Sequence, residues 1–391
     1  MMNNNDQKGW DTPFNPPSER YAIFGSVYKL IQFLHLNPGF IPKEISFDSL
    51  DDLILLSSFH DEILTRVGSI RICERRDGIQ LSEEDRLKIK QIQSFPYNIN
   101  TQSYIYDSGQ YYCDDIYFTP HLKHLEIPTG RIQDPRSFFS RLCGLVSLSS
   151  DEFIYFNSGD LPPGLRYVSL TSLAFRHRNN FELIMPDSVT HLEIRNALPI
   201  STYLNMTNCK NVEYLQIING KFKDMGYFIF PRKVVSLNLI NCEIERFDDF
   251  RTNNEFVCLR SLKITGLFGK IFYYTFFNTE FPNSLVDLYF SNRFHPNNID
   301  EESRVMVYRY PNSFDTNGIF RLDGRHQLPS NLKTLYLRCP GIRIENDWKV
   351  PQGIKKLELL RFQGRFNIRD FIHASQLENY RIDDIKLEII H

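Results

Sequence analysis

The chain has 391 residues, of which 42% are hydrophobic and 14% aromatic, and its 45 basic and 47 acidic side chains leave a formal net charge of −2. That length and hydrophobic content suffice for a large buried core, and the near-neutral charge gives no electrostatic drive toward nucleic acid or an anionic membrane. Neither is therefore expected as a partner. No apolar run approaches the roughly 18 residues that a membrane-spanning helix requires.

The first 19 residues are polar and are predicted to be a disordered tail. They lack the basic start and the apolar stretch of a secretory signal. The seven cysteines are scattered along the chain, odd in number and never in a C-x-x-C spacing, so neither a disulfide framework nor a metal site is expected. Both features favour a cytoplasmic protein with reduced thiols.

Residues 20–110 are predicted to form an N-terminal capping or docking region that contains helices. The apolar residues of Tyr21–His35 recur at helical spacing, and Ser82 followed by three acidic residues is typical of the start of a short helix that runs to about Ser94. One interpretation is a cap that covers the open end of the repeat array that follows.

A second interpretation of this region rests on Ile41–Glu44 followed by Asp52–Ser57. These segments resemble an F-box, the helical module that docks a substrate receptor onto a ubiquitin ligase, and the resemblance implies ubiquitin-ligase scaffold subunits as partners. The interval between Pro42 and Asp52 is shorter than the F-box pattern, and no tryptophan closes the motif. The same stretch also fits repeat strands, with apolar residues at Leu50, Leu53 and Leu55 and again at Val67, Ile70 and Ile72.

Residues 111–391 repeat one phrase of three apolar residues at positions i, i+3 and i+5. A complete copy, opened by a proline, is Pro231 with Val234, Leu237 and Leu239. The first apolar residue of each copy falls at 122, 165, 189, 212, 234, 259, 285, 332, 354 and 377, with a weaker copy near Leu145. Most steps are 20 to 26 residues, and this period predicts a solenoid of about 11 units, because each unit buries its apolar face only by stacking on its neighbours.

Within each unit, positions i+3 and i+5 have the same strand parity and are predicted to point into a shared core. The unit Val234, Leu237, Leu239, Cys242 and Ile244 resembles a leucine-rich repeat, and the Pro-x-x-Leu opening is most similar to the FNIP-type repeats of social amoebae. The resemblance implies a mainly β or α/β repeat solenoid: a curved leucine-rich-repeat array with parallel strands on its concave face, irregular convex segments and a small mixed N-terminal cap. The asparagine ladder of ordinary leucine-rich repeats is nearly absent.

The outward positions of the predicted strands form two rows, the first from His124 to Asn379 and the second from Glu126 to Arg381. At about 4.8 Å between strands the face is on the order of 50 Å long, which suits a protein better than a small molecule. Aromatic residues recur in both rows and often anchor interfaces, although Tyr and His also simply suit strands. The candidate protein-binding residues are His124, Glu126, Tyr167, His191, Glu193, Tyr214, Gln216, Lys263, Tyr289 and Tyr336.

Residues 293–328 interrupt the repeat, since the apolar positions 285 and 332 on either side are 47 residues apart (332 − 285). One interpretation, which this near-double period favours, is a degraded unit with Val305 and Val307 on its strand. The alternative is an inserted hairpin whose strands, 305–310 and 318–322, are joined across Asp315 to Gly318.

Common catalytic motifs are missing from the sequence: it contains no phosphate-binding glycine loop, nucleophile elbow or metalloprotease helix. His121 and His124 have opposite strand parity, so they are not expected to bind a metal together. No catalytic residue, cofactor or metal is therefore predicted. We expect a non-enzymatic scaffold that binds a protein through its strand face. Two alternatives stay open: an F-box-type substrate adaptor of a ubiquitin ligase, and a structural protein whose array associates with itself.

Overall fold

The computed structural model describes residues 21–23, 27–37, 44–47, 69–73, 103–107, 122–127, 132, 134–150, 160–171, 180–196, 203–247, 256–293, 308–367, 377–383 and 387–390. The chain divides into two compact units, residues 1–174 (unit 1) and 175–391 (unit 2), and each is described by itself. The predicted tail, the helix from Ser82 and most of the F-box-like stretch lie outside the described residues.

Unit 1 is a ladder of parallel strands. Its strands are β1 Tyr21–Ile23, β2 Glu44–Phe47, β3 Ser69–Cys73, β4 Ser103–Asp107, β5 His124–Ile127, β6 Ser147–Ser150 and β7 Tyr167–Thr171. Each strand pairs in parallel with the next along the chain. The ladder therefore continues into the region where the sequence predicts a cap or a docking module, and Ile70 and Ile72 lie on β3, as the repeat-strand interpretation expects.

Two helices are described in unit 1. Helix α1, Val27–Leu36, covers the later part of the helix predicted for Tyr21–His35 and buries Leu30, whereas Tyr21–Ile23 is strand β1, so the prediction is wrong there. Helix α2, Pro135–Ser140, begins where Asp134 Oδ1 accepts the backbone N–H of Ser137 at 3.1 Å. It lies between β5 and β6 along the chain and buries Phe138 and Phe139.

Unit 2 contains a second series of strands. In chain order they are β8 Asn180–Glu182, β9 His191–Arg195, β10 Tyr203–Asn205, β11 Tyr214–Ile218, β12 Lys221–Asp224, β13 Phe228–Ile229, β14 Ser236–Arg246, β15 Ser261–Phe268, β16 Asp287–Asn292, β17 Phe320–Leu322, β18 Thr334–Arg338, β19 Ile342–Ile344, β20 Lys356–Leu360, β21 Gly364–Asn367, β22 Asn379–Asp383 and β23 Leu387–Ile390. A 3-10 turn at Met225–Tyr227 and helix α3, Lys270–Phe277, complete the described elements.

Eight of these strands form the main sheet of unit 2, in the order β9, β11, β14, β15, β16, β18, β20 and β22, with every pair parallel. The remaining strands make short parallel pairings, β10 with both β8 and β13, β17 with β19, and β21 with β23, while β12 extends along β14. The predicted mainly β, parallel solenoid is confirmed, and each predicted apolar position from 122 to 377 is followed two residues later by a strand.

One backbone contact recurs between successive turns of this sheet. Lys333 O, for example, accepts the N–H groups of both Lys355 and Lys356, at 2.8 and 3.0 Å. The same two-donor contact is made at every step by the residue that precedes the strand, and the acceptors are in order Thr190, Glu213, Val235, Arg260, Val286, Lys333 and Lys355. This contact sets the register of each strand against its neighbour.

The core of unit 2 includes the three apolar positions of each repeat. The i+3 row is at most 1% exposed over seven strands, from Leu192 to Leu357, and the i+5 row from Ile194 to Leu359 is 0% exposed. The first apolar positions, Val189 to Ile354, are buried as well. Since all pairs share one register, each side chain stacks on its equivalent in the next turn, as the repeat phrase predicts.

A β-bulge lies between β14 and β15. Leu239 pairs with Ile264 but Cys242 pairs with Gly266, so β14 carries one extra residue. The backbones come so close here that a Cβ on Gly266 would lie 1.7 Å from the Cys242 carbonyl oxygen. Asn241, at the bulge, has a φ of 54° and donates its N–H to Thr265 Oγ1. Only glycine fits at position 266.

The favoured interpretation of residues 293–328 is wrong. β16 pairs directly with β18, from Asp287 with Thr334 to Ser291 with Arg338, so this segment places no strand between them. The 47-residue interval is one turn that carries an insertion. Val305 and Val307 lie outside the described residues.

The hairpin alternative is correct for the turn of the insertion. It is not correct for the described end of the predicted first strand. Asp315 Oδ1 accepts the N–H groups of Asn317 and Ile319, both at 2.9 Å, and an antiparallel bridge joins Phe314 to Phe320. Residues 308–309 are helical. Phe320 is fully buried and its ring lies 5.6 Å from that of Phe277 on α3, so the apolar residues of the insertion fill the core instead of extending the sheet.

We expect Gly266→Ala to lower the free energy of unfolding by at least about 2 kcal/mol, because the new methyl group overlaps a backbone carbonyl that cannot move away cheaply. Gly353→Ala in the same unit is the matched control: only the flexible Nζ of Lys333 would lie closer than 3.4 Å to its Cβ, so a change within about 0.5 kcal/mol is expected. Denaturant titration of both variants measures the difference. Equal losses would contradict the close approach at Gly266.

Candidate functional site

The outward rows of unit 2 are formed as the sequence predicts. Paired strands align His191, Tyr214, Ser236, Ser261, Asp287, Thr334, Lys356 and Asn379 in the first row. They align Glu193, Gln216, Asn238, Lys263, Tyr289, Tyr336, Glu358 and Arg381 in the second row. Most of these side chains are half-buried or exposed, but Gln216 and Asn238 keep only 8% and 6% of their surface. We call this surface the strand face of unit 2.

An aromatic and polar cluster occupies β9 and β11. The rings of His191 and Tyr214 stack with centroids 4.4 Å apart and planes 13° from parallel. Beside them, Glu193 accepts hydrogen bonds from Gln216 Nε2 at 2.8 Å and from Arg195 Nε. Gln216 therefore contributes to the site by holding the Glu193 carboxylate, since little of its own surface is accessible.

Burial lowers the pKa of His191 below its ordinary value of 6.5, and the nearby Glu213 carboxylate opposes this effect only in part. The lowered pKa favours the neutral imidazole. Thr190 Oγ1 lies 2.9 Å from its Nδ1 and holds the ring in place.

A second cluster lies on β15, β16 and β18. Tyr289 and Tyr336 stack with centroids 4.0 Å apart and planes 7° from parallel. Lys263 Nζ lies 4.9 Å from the Tyr289 ring centroid, within the range of a cation–π contact. Stacking in register removes side-chain freedom before any partner arrives, so this cluster is a preorganised apolar surface with a positive end.

The candidates in unit 1 form a separate group. His124 and Tyr167 lie on β5 and β7 with Ser147 of β6 between them, and Glu126 lies in the second row with Ser149 and Ser169. All three serines are at most 5% exposed, so much of this face is covered. Burial, followed by the charge of Lys123, lowers the pKa of His124.

An asparagine ladder that was not predicted from the sequence connects β9, β11 and β14. Asn219 Nδ2 donates to Asn196 Oδ1 at 3.1 Å, and Asn241 Nδ2 donates to Asn219 Oδ1 at 2.6 Å. All three residues have positive φ, between 50° and 55°. They lie two residues after the i+5 positions Ile194, Ile217 and Leu239, and the recurrence of Asn at that place was the available signal.

The described cysteines differ in burial. Burial raises the pKa of the Cys209 and Cys242 thiols to about 12, so both stay protonated, while Cys143 and Cys258 are exposed. Across the described ranges, no group of three or more His, Cys, Asp or Glu side chains is placed to hold a metal ion. Nor does any described helix have both the length and the apolarity needed to cross a bilayer.

Comparison with known proteins adds no family: no family model matches the sequence, and no curated protein matches it.

We expect the pKa of His191, followed by NMR of its ring, to lie below 6.5 and to rise toward that value in Tyr214→Ala, where the stacked ring no longer shields it. A folded-state pKa below the unfolded one means that His191 contributes stability that is lost as the pH falls below about 6.5. Tyr336→Ala, on the other cluster, is the control and leaves the titration unchanged. A His191 that titrates above 6.5, or that ignores Tyr214→Ala, contradicts the assigned stack.

Proposed function

We propose that the protein is a non-enzymatic, cytoplasmic scaffold that binds another protein through the strand face of unit 2. We further propose that the repeats belong to the leucine-rich-repeat class, most similar to the FNIP type, with the strand face on the concave side of the array. The observation that carries the binding proposal is the preorganised stack of Tyr289 and Tyr336 with Lys263 at its end.

The extent of the face supports a protein partner. Eight strands at about 4.8 Å spacing span on the order of 34 Å, which exceeds a small-molecule pocket. The two clusters lie two strand steps apart, with β14 between β11 and β15, so a single interface of ordinary size covers both. The charges on the face are mixed: Glu193, Asp287 and Glu358 alternate with Lys263, Lys356 and Arg381. That mixture favours a protein over a polyanion.

The F-box alternative gains no support from the described residues. Glu44–Phe47, which begins inside the F-box-like stretch, is strand β2 and pairs with β1 and β3, whereas an F-box is helical. The self-association alternative makes a different prediction, since it requires copies of this chain and no other protein.

The test is affinity capture from the native cell followed by quantitative mass spectrometry, with the wild-type chain and a Tyr289→Ala, Tyr336→Ala double variant. We expect loss of the specific partner from the double variant, because truncation of stacked interface aromatics typically weakens binding by about tenfold or more. Tyr227→Ala, an exposed tyrosine outside the rows, is the matched control and retains the partner.

Three outcomes contradict the proposal. Partners that bind the double variant as well as wild type place the interface elsewhere. Recovery of ubiquitin-ligase scaffold subunits, lost on deletion of residues 41–60, establishes the adaptor alternative. Capture of this chain alone, unaffected by the double variant, supports self-association.

A further inference from the structure

Two arginines lie side by side on the short sheet formed by β17 and β19. Arg321 pairs in register with Arg343, and a parallel bridge from Arg343 to Gln363 continues the same row. The neighbours of each arginine along its strand are apolar and at most 1% exposed, namely Phe320, Leu322, Ile342 and Ile344. Because side chains alternate along a strand, both arginine side chains lie on the same side of this sheet, away from the core.

The positive charge of this pair is only partly compensated. Asp315 Oδ2 lies 3.1 Å from Arg343 Nη2, while Asp315 Oδ1 accepts two backbone N–H groups of its own turn. Among the described residues Arg321 has no ion pair, and its Nε is buried without a hydrogen-bond partner. Like charges at paired strand positions are destabilising, and a buried N–H group without an acceptor costs free energy. A group that supplies negative charge and acceptor oxygens at this place would remove both costs.

The acids that follow each arginine along the chain do not supply that charge. Asp323, which follows β17, accepts hydrogen bonds from Arg325 Nε and Nη2 and lies 3.1 Å from His326 Nδ1. Glu345, which follows β19, makes no ion pair with the described residues. These two carboxylates put negative charge just beyond the ends of the two short strands. An extended polyanion would be repelled there, so the arginine pair is better suited to a single compact anion.

We propose that Arg321 and Arg343 together bind a phosphoryl group. Each guanidinium presents a planar fork of N–H donors that matches the oxygens of a phosphoryl group, and the three acceptor oxygens of that group let it bridge two forks at once. A carboxylate, with two oxygens, occupies one fork fully or two forks in part. The site belongs to a different sheet from the strand face and does not depend on the proposed scaffold function. Free phosphate and a phosphorylated side chain of a partner protein both carry this chemistry.

The test measures the binding of inorganic phosphate to the full chain, from the line width of the phosphorus NMR signal at constant ionic strength. We expect saturable binding to wild type and binding at least about tenfold weaker to Arg321→Gln, because one of the two forks is lost. In phosphate-free buffer we expect Arg321→Gln to melt at or above the temperature of wild type, because the variant lacks the like-charge pair. That measurement separates the loss of the site from a loss of folding.

Three controls accompany this titration. Arg338→Gln, on β18 of the main sheet, removes one positive charge elsewhere in unit 2 and is expected to retain phosphate binding. The Tyr289→Ala, Tyr336→Ala double variant alters the strand face and is also expected to retain it, so the two proposals fail independently. Acetate is expected to bind at least about tenfold more weakly than phosphate, because a carboxylate cannot fill both forks.

Two short peptides distinguish the sources of the phosphoryl group: one contains a single phosphoserine, and the other has serine at that position. A phosphopeptide that binds at least as tightly as inorganic phosphate, with no binding of the serine peptide, assigns the site to a phosphorylated partner. Weaker binding of the phosphopeptide than of phosphate assigns the site to the free anion.

Several results would overturn the proposal. These are no saturable binding of phosphate or phosphopeptide up to about 20 mM, equal phosphate binding by wild type and Arg321→Gln, equal binding of acetate and phosphate, or a lower melting temperature of Arg321→Gln in phosphate-free buffer. The rival occupant is an acidic run of this same chain, Asp300, Glu301 and Glu302. Phosphate binding that appears only in the Asp300→Asn, Glu301→Gln, Glu302→Gln triple variant assigns the arginine pair to those acids instead.

Discussion

The carbonyl that precedes each strand of unit 2 and accepts two N–H groups from the next turn is the contact on which the rest of the unit depends. Repeated from Thr190 to Lys355, it holds every strand in one parallel register. Once the register is set, strand parity determines which side chains are buried. The i+3 row, from Leu192 to Leu357, enters the core, and the residues beside it on each strand face outward. A slip of one residue would exchange these two sets and expose the whole apolar row.

The same register produces the candidate site. Tyr289 and Tyr336 stack because they are paired residues on the adjacent strands β16 and β18, whose backbones lie about 4.8 Å apart. Deviations from the repeat are local. The bulge in β14 is accommodated by Gly266, and the insertion after β16 is held by buried aromatic residues. A buried hydrogen-bond network around Asn292, which donates to Tyr273 Oη and to Phe268 O at 2.7 and 2.8 Å, satisfies the polar groups beside the insertion.

Strand positions and the two outward rows could be predicted from the sequence, because the apolar spacing i, i+3, i+5 reports side-chain parity directly. Even the weaker copy near Leu145 is followed by strand β6. Features that depend on spatial neighbours were harder to predict from the sequence. The spacing between 285 and 332 suggested an extra unit, because length alone does not distinguish a strand from an insertion whose phenylalanines enter the core. The burial of Gln216 and the exposure of Tyr380 depend on which strand lies alongside, and a single repeat phrase carries no information about that.

The central claim is that parity in the parallel register separates a closed core from an accessible face, and a cysteine-reactivity scan along β18 tests it most directly. Single replacements Thr334→Cys, Leu335→Cys, Tyr336→Cys, Leu337→Cys and Arg338→Cys are labelled with a thiol reagent in the native state and quantified at each site by mass spectrometry. We expect rapid labelling at 334, 336 and 338 and protection at 335 and 337, with native Cys258 labelled and native Cys339 protected as internal references. Uniform labelling along the strand, or protection in the opposite phase, would contradict the register and with it the proposed strand-face interface.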